Sequence, residues 1–172
     1  SSIMLRLSIE DLNYKEEFPL AEDYDLWYRI AKKYKVWTLP TILVQYRVHT
    51  SNISKTQSQK INQAISTIIK NQIKELGILA SEEELILHRK IGRAEFEKSQ
   101  IFFGNSQKWL LNLKKSNKKH KVYTQKVFDE FIDSLFLSVS SANHHLGFSV
   151  FKAIWQNTNW TSVNYKQKSK LL

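Results

Sequence analysis

Apolar positions follow two different rules along this chain, with the change near residue 55. Before it the pattern is mixed. Ile3–Leu7 is a short apolar run that predicts a strand, and Leu7–Asn13 suits a helical turn. Phe18–Pro19 marks a loop, and Ala21–Tyr34, AEDYDLWYRIAKKY, has helical spacing. Val36–Leu39 and Ile42–Val48 predict two strands on either side of Pro40. From Lys55 onward the period is helical. Ile61, Ala64, Ile65, Ile68, Ile69 and Leu76 share one face, and Gly77 suits the C-terminal stop. Ser81 with Glu84 is a capping-box signature, opening a helix to about Lys98. Phe102–Ser106, with Gly104, reads as a loop, and Gln107–Lys115 as a short helix with Trp109, Leu110 and Leu113 inward. Lys121–Ser140 carries the stripe Phe128, Phe131, Ile132, Leu135, Phe136, Val139, and Leu146–Trp155 predicts a further short helix. The expected organisation is α/β over 1–54 and helical over 55–172, mostly α overall.

A chain of 172 residues with 42% hydrophobic positions is long enough and apolar enough to bury a core. It has no cysteine, which excludes disulfides, thiol chemistry and cysteine-bound zinc. No apolar run approaches the roughly 20 residues that span a bilayer. The opening SSIMLRLSIE lacks a signal-peptide layout and reads like the middle of a longer protein. The net charge of +10 rests on lysine, since Arg6, Arg29, Arg47, Arg89 and Arg93 are the only arginines among 26 basic residues. Base-reading proteins favour arginine for bidentate contacts. The lysine-rich balance therefore points away from nucleic acid and suits either solubility or an anionic membrane surface, with Lys114–Lys121, KKSNKKHK, as a basic loop that is solvated or touches anionic lipid. Four glycines leave no phosphate-cradling glycine-rich loop.

Two stretches carry candidate chemistry. In AEDYDLWYRIAKKY, positions Asp23, Leu26, Trp27, Ile30, Ala31 and Tyr34 follow helical spacing, which predicts that Asp23 faces inward at the head of a buried stripe. Glu22, Asp25 and Arg29 fall off that stripe, and Asp25 with Arg29 suits a surface i, i+4 pair. An inward carboxylate at a helix start has two readings: it accepts bonds from free backbone N–H groups, or it is a general base aimed into a cleft. Asp23-Tyr24-Asp25 spells D-x-D, but residues two apart on a helix diverge by roughly 200° and do not share an ion. The second stretch, QYRVHTSNIS at Gln45–Ser54, places Arg47, His49 and Ser51 on one face of an extended strand. A cation, an imidazole and a hydroxyl suit an oxyanion such as a diphosphate; the other reading is an exposed strand edge and polar loop. His88 and His120 lie among polar neighbours, and no pair of histidines has metal-ligand spacing.

The two stretches occur together and in a fixed order: MLR, then F-x-x-AEDYDLWYRIAK, then LP-x-x-L-x-x-YRVH-x-x-x-x-S. This order resembles the family 2 glycosyltransferases of bacteria, GT-A-fold enzymes that build surface polysaccharides. The likeness covers Ser1–Ser54, near the end of that family's catalytic domain; residues 55–172 resemble the helical extension that many members carry. The resemblance implies that Asp23 is the catalytic base of an inverting transfer from a nucleotide-diphosphate sugar, with Glu22 supporting it. It implies that Arg47, His49 and Ser51 close over the donor diphosphate. It also implies Mn²⁺ or Mg²⁺ in the full enzyme, a saccharide or lipid-linked acceptor, and a cytoplasmic location, peripheral on the inner membrane face. The family's nucleotide-binding half, with its strand-borne D-x-D, has no counterpart here, so the isolated chain is expected not to catalyse transfer. The competing expectation is a helical binding module, for which the +10 charge suggests nucleic acid, or a homo-oligomerisation module, in either case without catalysis.

Overall fold

The computed structural model describes residues 13–37, 39–45 and 57–157. These are mostly helical: α1 (Glu22–Lys33), α2 (Ser58–Glu75), α3 (Glu82–Gly92), α4 (Gln100–His120), α5 (Gln125–Ala142), a 3-10 turn (His144–Leu146) and α6 (Phe148–Asn157). The chain divides into two compact units, 1–69 and 70–172.

In the first unit, Phe18 and Ala21 pack with Ile68, flanked by Ala64 and Ile65. The two predicted strands after α1 do not form among the described residues. A strand needs a paired neighbour to satisfy its backbone and cover its apolar face. Val36, Trp37, Leu39, Ile42, Leu43 and Val44 are instead all exposed. The strand expected at Ile3–Leu7 lies outside the described residues.

In the second unit the end of α2 obeys the expected stop. Gly77 takes φ +78°, its N–H bonds to the Lys74 carbonyl at 2.8 Å, and the Ile78 N–H reaches the Ile73 carbonyl at 3.3 Å. This is a Schellman exit, which a glycine makes at no steric cost. The capping box also forms: the Glu84 N–H donates to Ser81 Oγ at 3.3 Å, and the Ser81 N–H to Glu84 Oε2 at 2.9 Å. Helix α3 ends at Gly92, short of the expected Lys98, because the chain makes a second Schellman exit with Ala94 at φ +57°.

The stretch Phe102–Ser106, expected as a loop, lies inside α4. Ser99 opens that helix by accepting the Phe102 N–H at 3.1 Å. One glycine costs a helix only about 1 kcal/mol, and here Gly104 is outweighed by the buried row Phe102, Phe103, Ser106, Trp109, Leu110, Leu113 and Asn117. The expected basic loop Lys114–Lys121 is likewise helical through His120.

Helices α4 and α5 form the most extensive pairing. Asn117, fully buried, fastens their turn: its amide donates to the Tyr123 carbonyl (3.1 Å) and Gln125 Oε1 (2.9 Å), and its Oδ1 accepts the Tyr123 N–H (2.8 Å). Lys114 and Asp133 add a 2.8 Å ion pair between the two helices. Of the stripe predicted on α5, Ile132, Phe136 and Val139 are buried, whereas Phe131 is exposed.

Candidate functional site

The carboxylates of α1 are arranged differently from the expected stripe. Ala21 occupies the N-cap position and offers no side-chain acceptor. Asp23 is exposed, and its Oδ1 accepts the neighbouring Tyr24 N–H at 2.7 Å. The buried acid is Asp25, 5% exposed, which was expected on the surface. Arg29 explains the rotation. Its Nε donates to Asp25 Oδ2 at 2.8 Å and its Nη2 to the Asn13 carbonyl at 2.7 Å. The guanidinium thus compensates an inward carboxylate and ties α1 to the segment before it. The inward face is Glu22, Asp25, Leu26, Arg29 and Ile30, with Ala31 and Tyr34 exposed.

Two polar atoms on α1, Glu22 Oε2 and Trp27 Nε1, are buried without a hydrogen-bond partner among the described residues. Leaving such a group unsatisfied costs about 1–3 kcal/mol. Immediately before the helix, Leu20 holds φ +68°. A left-handed non-glycine residue stores about 1–2 kcal/mol of strain, and strain of this kind gathers at functional sites. Arg47, His49 and Ser51, the predicted diphosphate grip, lie outside the described residues. Among the described residues no group of three His, Asp or Glu side chains is placed to hold a metal ion.

The second unit contains a feature that sequence reading missed. A cavity of about 530 Å³ opens among α3, α4, α5 and the end of α2, lined by Ile73, Leu76, Ile91, Trp109, Phe128, Leu135 and neighbours. At about 24 cal/mol per Å³, a dry void of this size would cost on the order of 13 kcal/mol, as much as the ~5–15 kcal/mol stability of a whole domain. The space is therefore not an enclosed void but open to solvent on one side.

His88 stands in its wall, among apolar residues rather than the polar neighbours expected from sequence. Trp109 Nε1 donates to His88 Nδ1 at 3.1 Å. Burial lowers the His88 pKa below the ordinary imidazole value, which favours the neutral ring. The signal for this inward histidine was the spacing Leu85, His88, Ile91, two steps of three residues along one helix face.

No helix among the described residues is long and apolar enough to cross a membrane. Comparison with protein-family models, curated proteins and solved structures finds no match.

Proposed function

We propose that this chain is the acceptor-side end of an inverting, GT-A-type glycosyltransferase, followed by its helical extension. The donor is a nucleotide-diphosphate sugar and the acceptor a saccharide or lipid-linked hydroxyl. The observation that carries the reading is the ordered pair of stretches, F-x-x-AEDYDLWYRIAK before LP-x-x-L-x-x-YRVH. Asp23 is the base: exposed at the first turn of α1, it is open to an incoming hydroxyl. It takes the acceptor proton as that oxygen bonds to the anomeric carbon and the bond to the departing diphosphate breaks. Glu22 supports the site, and the α1 macrodipole favours ionised acids at this position. Arg47, His49 and Ser51 meet the charge that develops on the leaving diphosphate. The strained Leu20 and the unpaired Glu22 Oε2 agree with a site whose geometry is held for function.

The test is release of nucleotide diphosphate from UDP-, GDP- and dTDP-sugars with Mn²⁺, using the polypeptide with its natural upstream sequence. Release by the wild type and its loss in a folded Asp23→Asn variant are expected. Release by neither protein with any donor, or by both equally, contradicts the reading.

A second reading, an association module, is favoured by one observation. The Phe148, Phe151 and Trp155 rings form an exposed ladder on α6, with successive centroids 6.3 Å apart. It predicts an oligomer in sedimentation that persists in Asp23→Asn and dissociates on Phe151→Ser.

A further inference from the structure

We infer that the cavity of the second unit is a binding site for an uncharged amphiphile: one hydrocarbon chain carrying a single hydrogen-bond acceptor, held by the Nε2–H of His88. The inference rests on the second unit alone and stands whether or not the transferase reading holds.

Charge is the first argument. The chain carries 26 Lys and Arg and 16 Asp and Glu, yet none of these residues lines the cavity. Isoleucine, leucine, valine and aromatic side chains make most of its wall, with Gln72, Thr124, Tyr123 and His88 as the polar exceptions. An ionised ligand would lose its hydration there with no counter-ion in the wall. A hydrocarbon chain gains by leaving water in proportion to its buried area. The volume, about 530 Å³, lies within the ~300–1,000 Å³ usual for small-molecule pockets.

The tautomer of His88 is the second argument. Trp109 Nε1 can only donate, so the 3.1 Å bond makes His88 Nδ1 an acceptor. In the neutral ring the proton then sits on Nε2, for which no partner appears among the described residues. Beside the polar groups of Gln72, Tyr123 and Thr124, the wall thus holds a ring donor whose proton is fixed by a tryptophan that also lines the cavity. A carbonyl, ester or hydroxyl oxygen matches it.

The experiment uses the whole chain and the neutral fluorophore N-phenyl-1-naphthylamine, displaced by methyl decanoate, decanol, decanoate or decylammonium. Methyl decanoate and decanol are expected to displace the probe at concentrations at least about tenfold lower than either charged amphiphile. His88→Phe, with helicity checked by circular dichroism, is expected to weaken methyl decanoate by about tenfold, the worth of one hydrogen bond, and to retain the probe. If His88→Phe unfolds, His88→Gln is read instead; it keeps an acceptor and a donor and should retain the ester. Leu135→Trp, which fills the cavity, should lower probe affinity more than about tenfold. Failure of the wild type to bind the probe overturns the inference. So does displacement by the charged amphiphiles as readily as by the neutral ones, or ester affinity unchanged by His88→Phe.

Discussion

The start of α1 and the α4–α5 interface each bury a carboxylate against a cation at the same distance, 2.8 Å, but by different routes. Asp25 and Arg29 are one turn apart on a single helix, so their pairing is local, and Arg29 spends a second donor on the Asn13 carbonyl. Lys114 and Asp133 are 19 residues apart and meet only when α4 and α5 pack. Asp133, with a 3% exposed side chain, keeps its Oδ2 buried and without a partner among the described residues. The first pair orients a helix whose leading acids are the candidate chemistry. The second is a condition of the helical unit's packing, in a region whose cavity is lined by no charged side chain.

The comparison sharpens when one cation is removed from each pair. Lys114→Met leaves Asp133 buried and uncompensated, and should cost about 3–5 kcal/mol in urea unfolding; the double variant with Asp133→Leu should recover much of that loss. Arg29→Ala should cost less, about 1–3 kcal/mol, because Asp25 lies at the end of a helix where water reaches it more readily. Equal losses would show that the local pair is buried as deeply in its consequences as the tertiary one.

Two helix exits give smaller effects of opposite sign. At Gly77 a side chain would take a left-handed conformation and meet the His120 ring, so Gly77→Ala should lower stability by about 1–2 kcal/mol. Ala94 already bears that conformation, so Ala94→Gly should raise stability by up to about 1 kcal/mol. Thermal unfolding of both variants reads the difference.

The smallest effect is pH-dependent. The unfolded His88 titrates near its ordinary value of about 6.5, and the folded one below it. Between those two values the unfolded chain binds a proton that the native chain does not. Stability should therefore fall as pH drops through about 6.5 and level off below the folded pKa. His88→Phe should flatten that part of the profile.

What could be read from the sequence follows the range of the interaction. The Ser81–Glu84 box and the Gly77 exit are decided within a few residues, and both appear as expected. The inward set Trp109, Leu110 and Leu113 was also legible, because helical spacing alone determines a shared face. The reading failed where a distant partner decides. Gly104 looked like a loop until the apolar row on either side of it was buried against other helices. Asp23 was placed inward because an apolar stripe could be drawn through it. The burial of Asp25 depends on the reach of Arg29 to a carbonyl 16 residues away, which no spacing rule contains. The cavity was illegible for the same reason, since its wall is drawn from four helices.

The central claim is that Asp23 performs chemistry while Asp25 holds structure, and the direct measurement compares Asp23→Asn with Asp25→Asn. Both are made in the polypeptide with its natural upstream sequence and read by nucleotide-diphosphate release and by thermal unfolding. The account predicts that Asp23→Asn keeps the wild-type melting temperature and loses release by about 10²–10⁴-fold, the usual worth of a general base. Asp25→Asn should melt earlier and release at nearly the wild-type rate per folded molecule. Full release by Asp23→Asn, or its loss only in a well-folded Asp25→Asn, would contradict the account.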